Sequence, residues 1–445
     1  MHLHSGVDMQ PQSFSFSKES EAAAIRPTVS WAEKVLGESQ DSKTISGGEE
    51  EYVRRHIIRY INTLRLLPSG PGRLLDVGCF PGHLSLLAAA RGWEVSGVSR
   101  MEGPFIGPSF KDRMRKHRIS ISSADVERET FPFEDGYFDA VFFNETVEHL
   151  PFNPYHAFDQ IWRVLKPEGT LIFSVPNLAS FDHRWALLKG RTIYPLLTKS
   201  LGETFHSDIS QRHIREYTPQ ECRYLMSDQN KYLYTFKIKK LIMDRSWDRL
   251  FYTEHGYEPR MGNIRIGTVL RALITRLFPG TRSNIVIVAT KPASYLKTPQ
   301  ISFKSEGFYP AEPAGAGDSF VRQPLEACWT GAEACITIER SNIDRPIRKI
   351  EFLGWLPSPP SLGPVRMQVL VNEAAVNDLV FTPSSEPARI SVALPRHVGE
   401  SMTDKTVTIK FTTSGWKPSE HGIPADKRTL GVMICLQQLA VVCAD

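Results

Sequence analysis

The pattern of apolar and polar positions divides the chain into regions of different character. Between residues 73 and 290, short apolar runs alternate with stretches of helical periodicity, which predicts a parallel sheet with helices on both faces. The predicted strands are Arg73–Val77, Trp93–Val98, Ile119–Ser122, Phe138–Phe143, Thr170–Val175, Thr235–Ile242 and Asn284–Ala289. The predicted helices are Glu49–Leu66, Gly82–Arg91, Asn153–Leu165 and Pro219–Met226.

The C-terminal part has another pattern. Beyond Phe320, short β-type runs recur between turn residues and no long helical pattern intervenes, which predicts an antiparallel β-sandwich. The runs are Cys335–Glu339, Lys349–Leu353, Arg366–Val371, Arg389–Leu394, Thr406–Phe411 and Leu430–Leu436. Residues 293–319 are rich in Pro, Gly, Ala and Ser and are predicted to be a linker.

Four segments follow from these patterns. Residues 1–45 are polar and are predicted to be a flexible tail with one short helix near Trp31–Leu36. Residues 46–292 form the α/β domain, 293–319 the linker and 320–445 the sandwich. Within the α/β domain, residues 177–216 interrupt the alternation and are predicted to be an insertion of loops and short helices.

Composition narrows the class of protein. The 53 basic and 49 acidic residues give a net charge of +4, too balanced to predict a nucleic-acid partner. The six cysteines are scattered without a Cys-x-x-Cys pair, which argues against a disulfide framework or a zinc site and fits a reducing compartment. We see neither the apolar core of a signal peptide nor a membrane-spanning run of about 20 residues. A cytoplasmic protein is expected.

A glycine-containing turn joins the first predicted strand to the helix after it. Gly78 permits a tight turn and Gly82 opens the helix, so the backbone can approach a ligand closely. Asp76, at the carboxyl end of the strand, can accept hydrogen bonds from that ligand. Phe80 stands where a dinucleotide-binding turn has its second glycine. The turn therefore predicts a ligand site that differs from a pyrophosphate cradle.

The segment from Leu74 to His83 resembles motif I of class I S-adenosylmethionine-dependent methyltransferases (types 11 and 23), a Rossmann-like family with a mostly parallel seven-stranded sheet. Ala124–Val126, Phe131–Val141 and Trp162–Thr170 match later motifs of the family in order and spacing. The resemblance implies S-adenosylmethionine as cofactor. It assigns cofactor binding to Asp76, Gly78, Cys79, Phe80, Gly82, Ser99, Arg100, Asp125, Val126 and Asn144, with Asp125 at the adenine amino group.

The end of the second strand departs from the family pattern. Ser99 stands where the family usually has a carboxylate for the ribose hydroxyls, and a charge-assisted hydrogen bond is roughly twice as strong as a neutral one. Glu102 is a candidate replacement, with a solvated loop residue as the equal alternative. Phe80 and Ser99 keep open a second class of function, a non-catalytic binding module with a degenerate cofactor site.

A group of acidic residues and histidines follows the fourth strand, where such folds place their chemistry. Glu148 and His149 come three and four residues after Glu145, so a helical turn would put them on one face. The pattern resembles the metal-binding motif of O-methyltransferases of the ubiquinone pathway and of small-RNA termini, and His213 matches a further histidine of the latter. We predict catalysis by His149, Glu148 and His213, and a metal set of Glu145, Glu148, His149 and His213 for a divalent cation such as Mg²⁺. General-base catalysis without metal and a structural role remain alternatives.

The acceptor is predicted to be a sugar hydroxyl of a glycan or a lipid-linked glycan. The group after the fourth strand resembles sites that act on hydroxyls, and residues 177–216 are positioned to cover the acceptor. His206, within that segment, is a weaker candidate for the catalytic group than His149 or His213. Trp416–Ser419 and Asp426–Val432 resemble β-sandwich modules of bacterial polysaccharide-biosynthesis enzymes. A small metabolite or quinone-like lipid is the alternative acceptor. The basic amphipathic stretch Arg265–Arg282 suits either peripheral contact with anionic lipid or, as we favour, packing on the sheet.

Overall fold

The chain is organised as two structural units. One comprises Met1–Arg223 and Lys237–Lys291, and the other comprises Tyr224–Phe236 and Pro292–Asp445. The structure is a computed structural model, in which the described residues are 32–36, 48–100, 108–151, 154–194, 213–227, 234–244, 266–297, 303–314, 325–339, 343, 345–358, 360–384, 387–394, 406–423 and 425–444.

The first unit is built on a seven-stranded sheet, which confirms the predicted fold. Its strands are β1 (Arg73–Val77), β2 (Glu94–Ser99), β3 (Ser120–Ser123), β4 (Phe138–Asn144), β5 (Leu165–Pro176), β6 (Lys237–Asp244) and β7 (Asn284–Thr290). The strand order is β3-β2-β1-β4-β5-β7-β6. All neighbours are parallel except β7, which runs antiparallel to β5 and β6. The order reverses between β1 and β4, so their carboxyl ends form the crevice of the sheet.

Helices accompany this sheet. They are α1 (Gly48–Leu64), α2 (His83–Ala90), α3 (Pro108–Lys116), α4 (Pro154–Val164), α5 (Phe181–Leu188), α6 (Pro219–Met226) and α7 (Ile266–Leu277). The sequence pattern did not predict α3. Among its described residues, the buried apolar ones are Phe110 and Met114, which are too few to show a helical period. On α7, Ala272 and Thr275 are buried, whereas four apolar residues of its other face are half or more exposed: Val269, Leu270, Leu273 and Leu277. The prediction that this apolar face packs on the sheet is therefore wrong. No helix among the described residues is long and apolar enough to cross a membrane.

The helix α1 is held by a shared apolar core. Its buried stripe joins side chains of β1, α2 and the start of β2 in one cluster: Ile57, Ile58, Ile61, Leu64, Leu74, Leu86, Leu87 and Trp93. Full burial of such a side chain stabilises the fold by about 1.5–3 kcal/mol. Because this stripe fixes the rotation of α1, Arg59 comes to lie beyond the end of β4, where it pairs with Glu145. The Tyr60 hydroxyl lies 3.4 Å from His83 Nδ1 at the start of α2.

The second unit is an antiparallel β-sandwich, as predicted. Its strands are β8 (Tyr295–Lys297), β9 (Phe303–Phe308), β10 (Glu312–Ala314), β11 (Leu325–Glu339), β12 (Ile347–Trp355), β13 (Val365–Val371), β14 (Ala374–Phe381), β15 (Ala388–Ala393), β16 (Thr406–Thr413) and β17 (Met433–Cys443). One layer has the order β14-β13-β16-β11-β9 and the other β15-β12-β17-β8. The long strand β11 joins them, since Cys328 and Trp329 also pair with β17.

The described residues between 293 and 319 do not form the predicted linker. Three strands lie within this range, and β8 pairs with β17 while β9 and β10 pair with β11. The middle of β9 is exposed, so its polar and small residues have the composition of a loop. The edge strand β14, which the pattern also missed, carries Asn377 and Asp378 for the same reason.

The sandwich core is aromatic, and it contains one buried acid. The rings of Phe352 and Phe411, from opposite layers, meet edge to face at 5.4 Å. Glu351 is 1% exposed and accepts from Tyr295 Oη at 2.8 Å, with Arg389 as its ion-pair partner. Burial raises the pKa of Glu351, but Arg389, Lys349 and Tyr295 outweigh it and hold that pKa below its ordinary value.

We expect Phe411→Ala to lower the stability of the second unit by about 3–5 kcal/mol, because it opens a cavity between the layers. Hydrogen exchange of the full chain should show faster exchange in β11 and β16. The control is Val380→Thr on β14, where the side chain is 59% exposed, with a change within about 0.5 kcal/mol. Unchanged protection in the Phe411 variant would contradict this account of the core.

Candidate cofactor and catalytic site

The turn after β1 lies directly against the turn after β4. Gly78 has φ +75°, and a Cβ there would lie 2.3 Å from Thr146 Oγ1. The Thr146 hydroxyl donates to the Asn144 carbonyl at 2.9 Å, which fixes its place over Gly78. Any other residue at position 78 would push the two turns apart.

A second close approach forms the start of α2. Gly82 has φ +87°, and a Cβ there would lie 2.6 Å from Met114 Cε on α3. Phe80 packs its ring 5.6 Å from that of Phe110, also on α3, and stays 40% exposed. Cys79 is buried beneath the turn, where its Sγ would lie 2.7 Å from a Cβ at Gly97, and burial raises the pKa of its thiol. The turn is thus shaped by glycines and apolar contacts.

Asp76 is the buried acid of this turn. It is 5% exposed and accepts a hydrogen bond from Ser85 Oγ at 2.5 Å. Burial raises the pKa of Asp76 to about 7, although the bond from Ser85 lowers it. The carboxyl group is therefore poised to lose its proton when a cationic ligand group approaches.

The predicted adenine contact is engaged within the protein. Arg100 Nη2 donates to Asp125 Oδ2 at 2.7 Å, and Asp125 Oδ1 accepts from the Glu127 amide at 3.0 Å. Both carboxylate oxygens thus have partners, and the contact of Asp125 with adenine stays a prediction. Ser99 is half-buried at the end of β2, and Val126 is buried after β3. Glu102 lies outside the described residues.

Asn144, the last residue of β4, has a side chain that fits a ligand role. Its Oδ1 and Nδ2 atoms are both buried without a hydrogen-bond partner. An unpaired buried polar group costs about 1–3 kcal/mol, which a bound polar ligand would offset. Asn144 lies two residues before Thr146, and Asp76 lies two residues before Gly78. Because Thr146 and Gly78 are in contact, the unpaired amide of Asn144 belongs to the same crevice as Asp76.

The predicted catalytic residues come together beyond β4. One ligand atom each of Glu148, His149 and His213 lies within 4.8 Å of the others. The two imidazole rings meet edge to face at 5.0 Å. The Glu148 carbonyl accepts from the amides of Ile214 and Arg215 at 2.6 and 3.3 Å, which holds His213 beside the single 3₁₀ turn Val147–His149. We name Glu148, His149 and His213 the acid-histidine cluster.

Glu148 is the buried carboxyl of the cluster. It is 1% exposed, and its Oε2 atom has no hydrogen-bond partner. Burial and then the charge of Glu145 raise the pKa of Glu148 well above its ordinary value, while its backbone hydrogen bond and Arg59 lower it. A carboxyl group in this state favours a proton or a cation at its free oxygen.

Glu145 does not join the cluster, contrary to the predicted metal set. Its carboxylate pairs with Arg59 Nη1 at 2.6 Å and accepts from Ser174 Oγ at 2.9 Å and Asn284 Nδ2 at 3.0 Å. The prediction assumed one helical turn starting at Glu145, but Glu145 has φ +48° and the 3₁₀ turn begins only at Val147. The three donors make Glu145 a brace between α1, β5 and β7.

The sequence reasoning missed Glu216 and His183. Glu216 is 6% exposed, with Oε1 3.0 Å from His213 Nδ1 and Oε2 3.1 Å from His183 Nδ1. The spacing of His213 and Glu216, three residues apart, was the available signal. His206 and residues 195–212 of the predicted insertion lie outside the described residues.

The fold defines the class. The strand order with its antiparallel β7 is that of the Rossmann-like fold of class I S-adenosylmethionine-dependent methyltransferases, and the glycine turn lies at the carboxyl end of its first strand.

Comparison with known proteins agrees. Residues 50–231 match the family model of a methyltransferase domain, so this part of the chain is a methyltransferase domain. It is 27% identical over 177 residues to the ubiquinone biosynthesis O-methyltransferase of Alkalilimnicola ehrlichii, covering 36% of this chain and 71% of that protein. The protein of the same description from Dechloromonas aromatica is 31% identical over 129 residues, 28% of this chain and 54% of that relative.

Among solved structures, the chain is similar to an S-adenosylmethionine-dependent methyltransferase of Thermotoga maritima, described as a possible histamine N-methyltransferase, with 18% sequence identity. The match covers 55% of this chain and 95% of that one with a TM-score of 0.35. The chain thus spans 71% and 54% of the two curated relatives above. The family match at residues 50–231 lies mostly in the first unit.

We expect Asp76→Asn to weaken S-adenosylmethionine binding by about tenfold to a hundredfold, because the ligand's ammonium group favours an ionised carboxylate. Since the pKa of Asp76 is raised to about 7, the carboxyl is protonated below that pH. Wild-type affinity should therefore rise as pH increases from 6 to 8, and the variant should show a flat profile by calorimetry. Asp112→Asn, an exposed acid on α3, should keep the wild-type profile; an equal slope in all three proteins would contradict the assignment.

The brace at Glu145 gives a stability prediction. Arg59→Ala removes a charged donor from a largely buried carboxylate, so we expect the free energy of unfolding to fall by about 1.5–3 kcal/mol. Chemical denaturation measures this change. Arg115→Ala, which breaks an exposed pair with Asp112, should change it by about 0.5 kcal/mol or less. Equal effects of the two substitutions would show that Glu145 is not a structural brace.

Proposed function

We propose that the chain is an S-adenosylmethionine-dependent O-methyltransferase that uses the acid-histidine cluster to activate an acceptor hydroxyl. The observation that carries this proposal is the convergence of a buried carboxyl, Glu148, with the imidazoles of His149 and His213 at the end of β4. The neighbouring strand β1 bears the glycine turn. Chemistry and cofactor are therefore expected at adjacent strand ends.

The cofactor site is supported by residues of the crevice. Asp76, Gly78, Gly82 and Asn144 supply a buried acid, two close backbone approaches and an unpaired amide. When bound, S-adenosylmethionine supplies an electrophilic methyl group. The protein's part is to hold the acceptor oxygen in line with that group, since orientation contributes much of the rate in such transfers.

A divalent cation is the first way in which the cluster would act. The free oxygen of Glu148 and two imidazoles form a mixed donor set that suits a first-row transition-metal cation such as Mn²⁺ better than Mg²⁺. Such an ion, when bound, lowers the pKa of a coordinated hydroxyl. Three protein ligands leave positions open for the acceptor.

General-base catalysis is the second way. The side chains of His149 and His213 are 25% and 39% exposed, so either ring is within reach of an acceptor. Glu148 stays buried behind them. Removing an acceptor proton in this manner typically contributes about 10²- to 10⁴-fold to a rate.

The acceptor class has two supports. The two relatives described as ubiquinone biosynthesis O-methyltransferases favour a hydroxyl on a quinone-like ring. The sandwich of the second unit and its resemblance to glycan-related modules favour a sugar hydroxyl. Both are hydroxyls, so the chemistry of the cluster is common to the two.

We expect His149→Ala to lower methyl transfer by about 10²- to 10⁴-fold while S-adenosylmethionine affinity stays within about twofold. The assay follows labelled methyl from S-adenosylmethionine into a catechol-type quinone precursor and, separately, into an oligosaccharide pool. His156→Ala on α4, whose imidazole contacts the Glu129 carbonyl outside the cluster, is the matched control and should retain full activity.

Three outcomes decide the proposal. Transfer into one pool identifies the acceptor class. Loss of transfer with a chelator and recovery with Mn²⁺ supports the cation, whereas an unchanged rate rejects it and assigns the proton to a histidine. Cofactor binding with full activity in His149→Ala contradicts the catalytic role of the cluster.

A further inference from the structure

His213 is held by a buried acid that the mechanism above does not use. Glu216 Oε1 lies 3.0 Å from His213 Nδ1, and the side chain of Glu216 is 6% exposed. Because a carboxylate has no hydrogen to donate, the proton of this bond belongs to Nδ1 of the ring. Whenever the ring is neutral, the other ring nitrogen, Nε2, then carries the free lone pair.

We infer that Glu216 is a positioning residue that fixes the tautomer and orientation of His213, so that Nε2 of its imidazole faces Glu148 and His149. This inference explains how the imidazole of His213 is oriented for the proposed function. It rests on the proposed function only for the role of His213. A carboxylate behind a ligating or basic histidine is the arrangement that orients such rings and raises their basicity.

The surroundings of Glu216 favour this role over a merely structural one. Its Oε2 atom is buried and accepts no hydrogen bond, because His183 Nδ1, although 3.1 Å away, directs its hydrogen bond to the Leu178 carbonyl at 3.3 Å. A buried carboxylate with one hydrogen bond is costly to keep. A fold that needed only an acceptor for His213 could use a neutral amide at lower cost.

The backbone around His213 is fixed independently of Glu216. Ile214 and Arg215 donate to the Glu148 carbonyl, and the Leu178 amide donates to the Tyr217 carbonyl at 3.0 Å. Thr218 and Glu221 cap the start of α6 reciprocally, with Glu221 Oε2 accepting from the Thr218 amide at 2.8 Å. Glu216 is therefore left to determine the rotation of the ring, and its loss should spare the path of the chain.

The test uses the full chain with Glu216→Gln, which keeps the volume of the side chain but can either accept or donate at Nδ1. In ¹⁵N-histidine-labelled protein without cofactor or cation, we expect wild-type His213 to show the Nδ1–H tautomer and the variant a mixture of both. Assignment comes from His213→Asn. Mn²⁺ titration, followed by electron paramagnetic resonance, should show about 10- to 100-fold weaker binding in Glu216→Gln, and Glu216→Asp should recover part of both properties.

Two matched controls keep the inference open to refutation. Glu221→Gln makes the same acid-to-amide change five residues away in a helix cap, and should lower stability without altering the tautomer or Mn²⁺ affinity. His183→Ala removes the other imidazole near Glu216, and should likewise leave His213 unchanged. A single unaltered tautomer in Glu216→Gln, or effects equal to those of Glu221→Gln, would overturn the inference.

The tautomer also separates this inference from the proposed function. If His213→Ala were fully active while Glu216→Gln scrambled the tautomer, the positioning by Glu216 would stand and the catalytic role of the cluster would fail. If His213→Ala were inactive and Glu216→Gln behaved as wild type, the proposed function would stand and Glu216 would have no positioning role.

Discussion

The contact between Gly78 and Thr146 is the constraint on which the site depends. The Thr146 hydroxyl occupies the space of a side chain at position 78, so the turn after β1 and the turn after β4 meet without a gap. Asp76 lies near the end of β1, and Asn144 ends β4 and is followed by Glu148 and His149 of the acid-histidine cluster. A methyl-transfer site needs its donor and acceptor pockets at van der Waals distance. This contact provides that proximity at the point where the strand order reverses.

Burial leaves several acids of the candidate site without full charge compensation. Among the described residues, four carboxyl groups lie near the ends of β1 and β4, and of these four only Glu145 has donors at both oxygens. Asp76 has one hydroxyl donor, Glu148 has a free oxygen, and Glu216 has one hydrogen bond, with the imidazole of His213. An uncompensated buried carboxyl is unfavourable unless it binds a proton, a cation or a ligand. The buried carboxyl groups without a full set of partners therefore lower the stability of the fold, and a bound ligand or cation could supply the missing partners.

The sequence predicted secondary structure best where the local pattern of apolar residues matches the burial of the element in the fold. The strands β1 and β4 are continuous apolar runs because both faces of the sheet are covered, and such runs are legible without a structure. Edge elements were harder: β9 and β14 expose polar residues and therefore look like loops. The metal set failed at Glu145 because one left-handed residue broke the helical spacing on which the prediction relied. Glu216 was missed because its burial follows from contacts with distant segments.

By itself, the sequence determined the order of the seven strands of the first unit along the chain, the positions of the glycines in the turn after β1 and the residue types available for catalysis. These follow from local periodicity and from the backbone freedom of glycine, which act over a few residues. Only the tertiary structure decided which acids are neutralised and which stay reactive. It brought Arg59, Ser174 and Asn284 to Glu145, and it left Glu148 and His213 to face each other. The physical reason is that desolvation and charge pairing depend on neighbours far apart in the chain, and local sequence does not specify these neighbours.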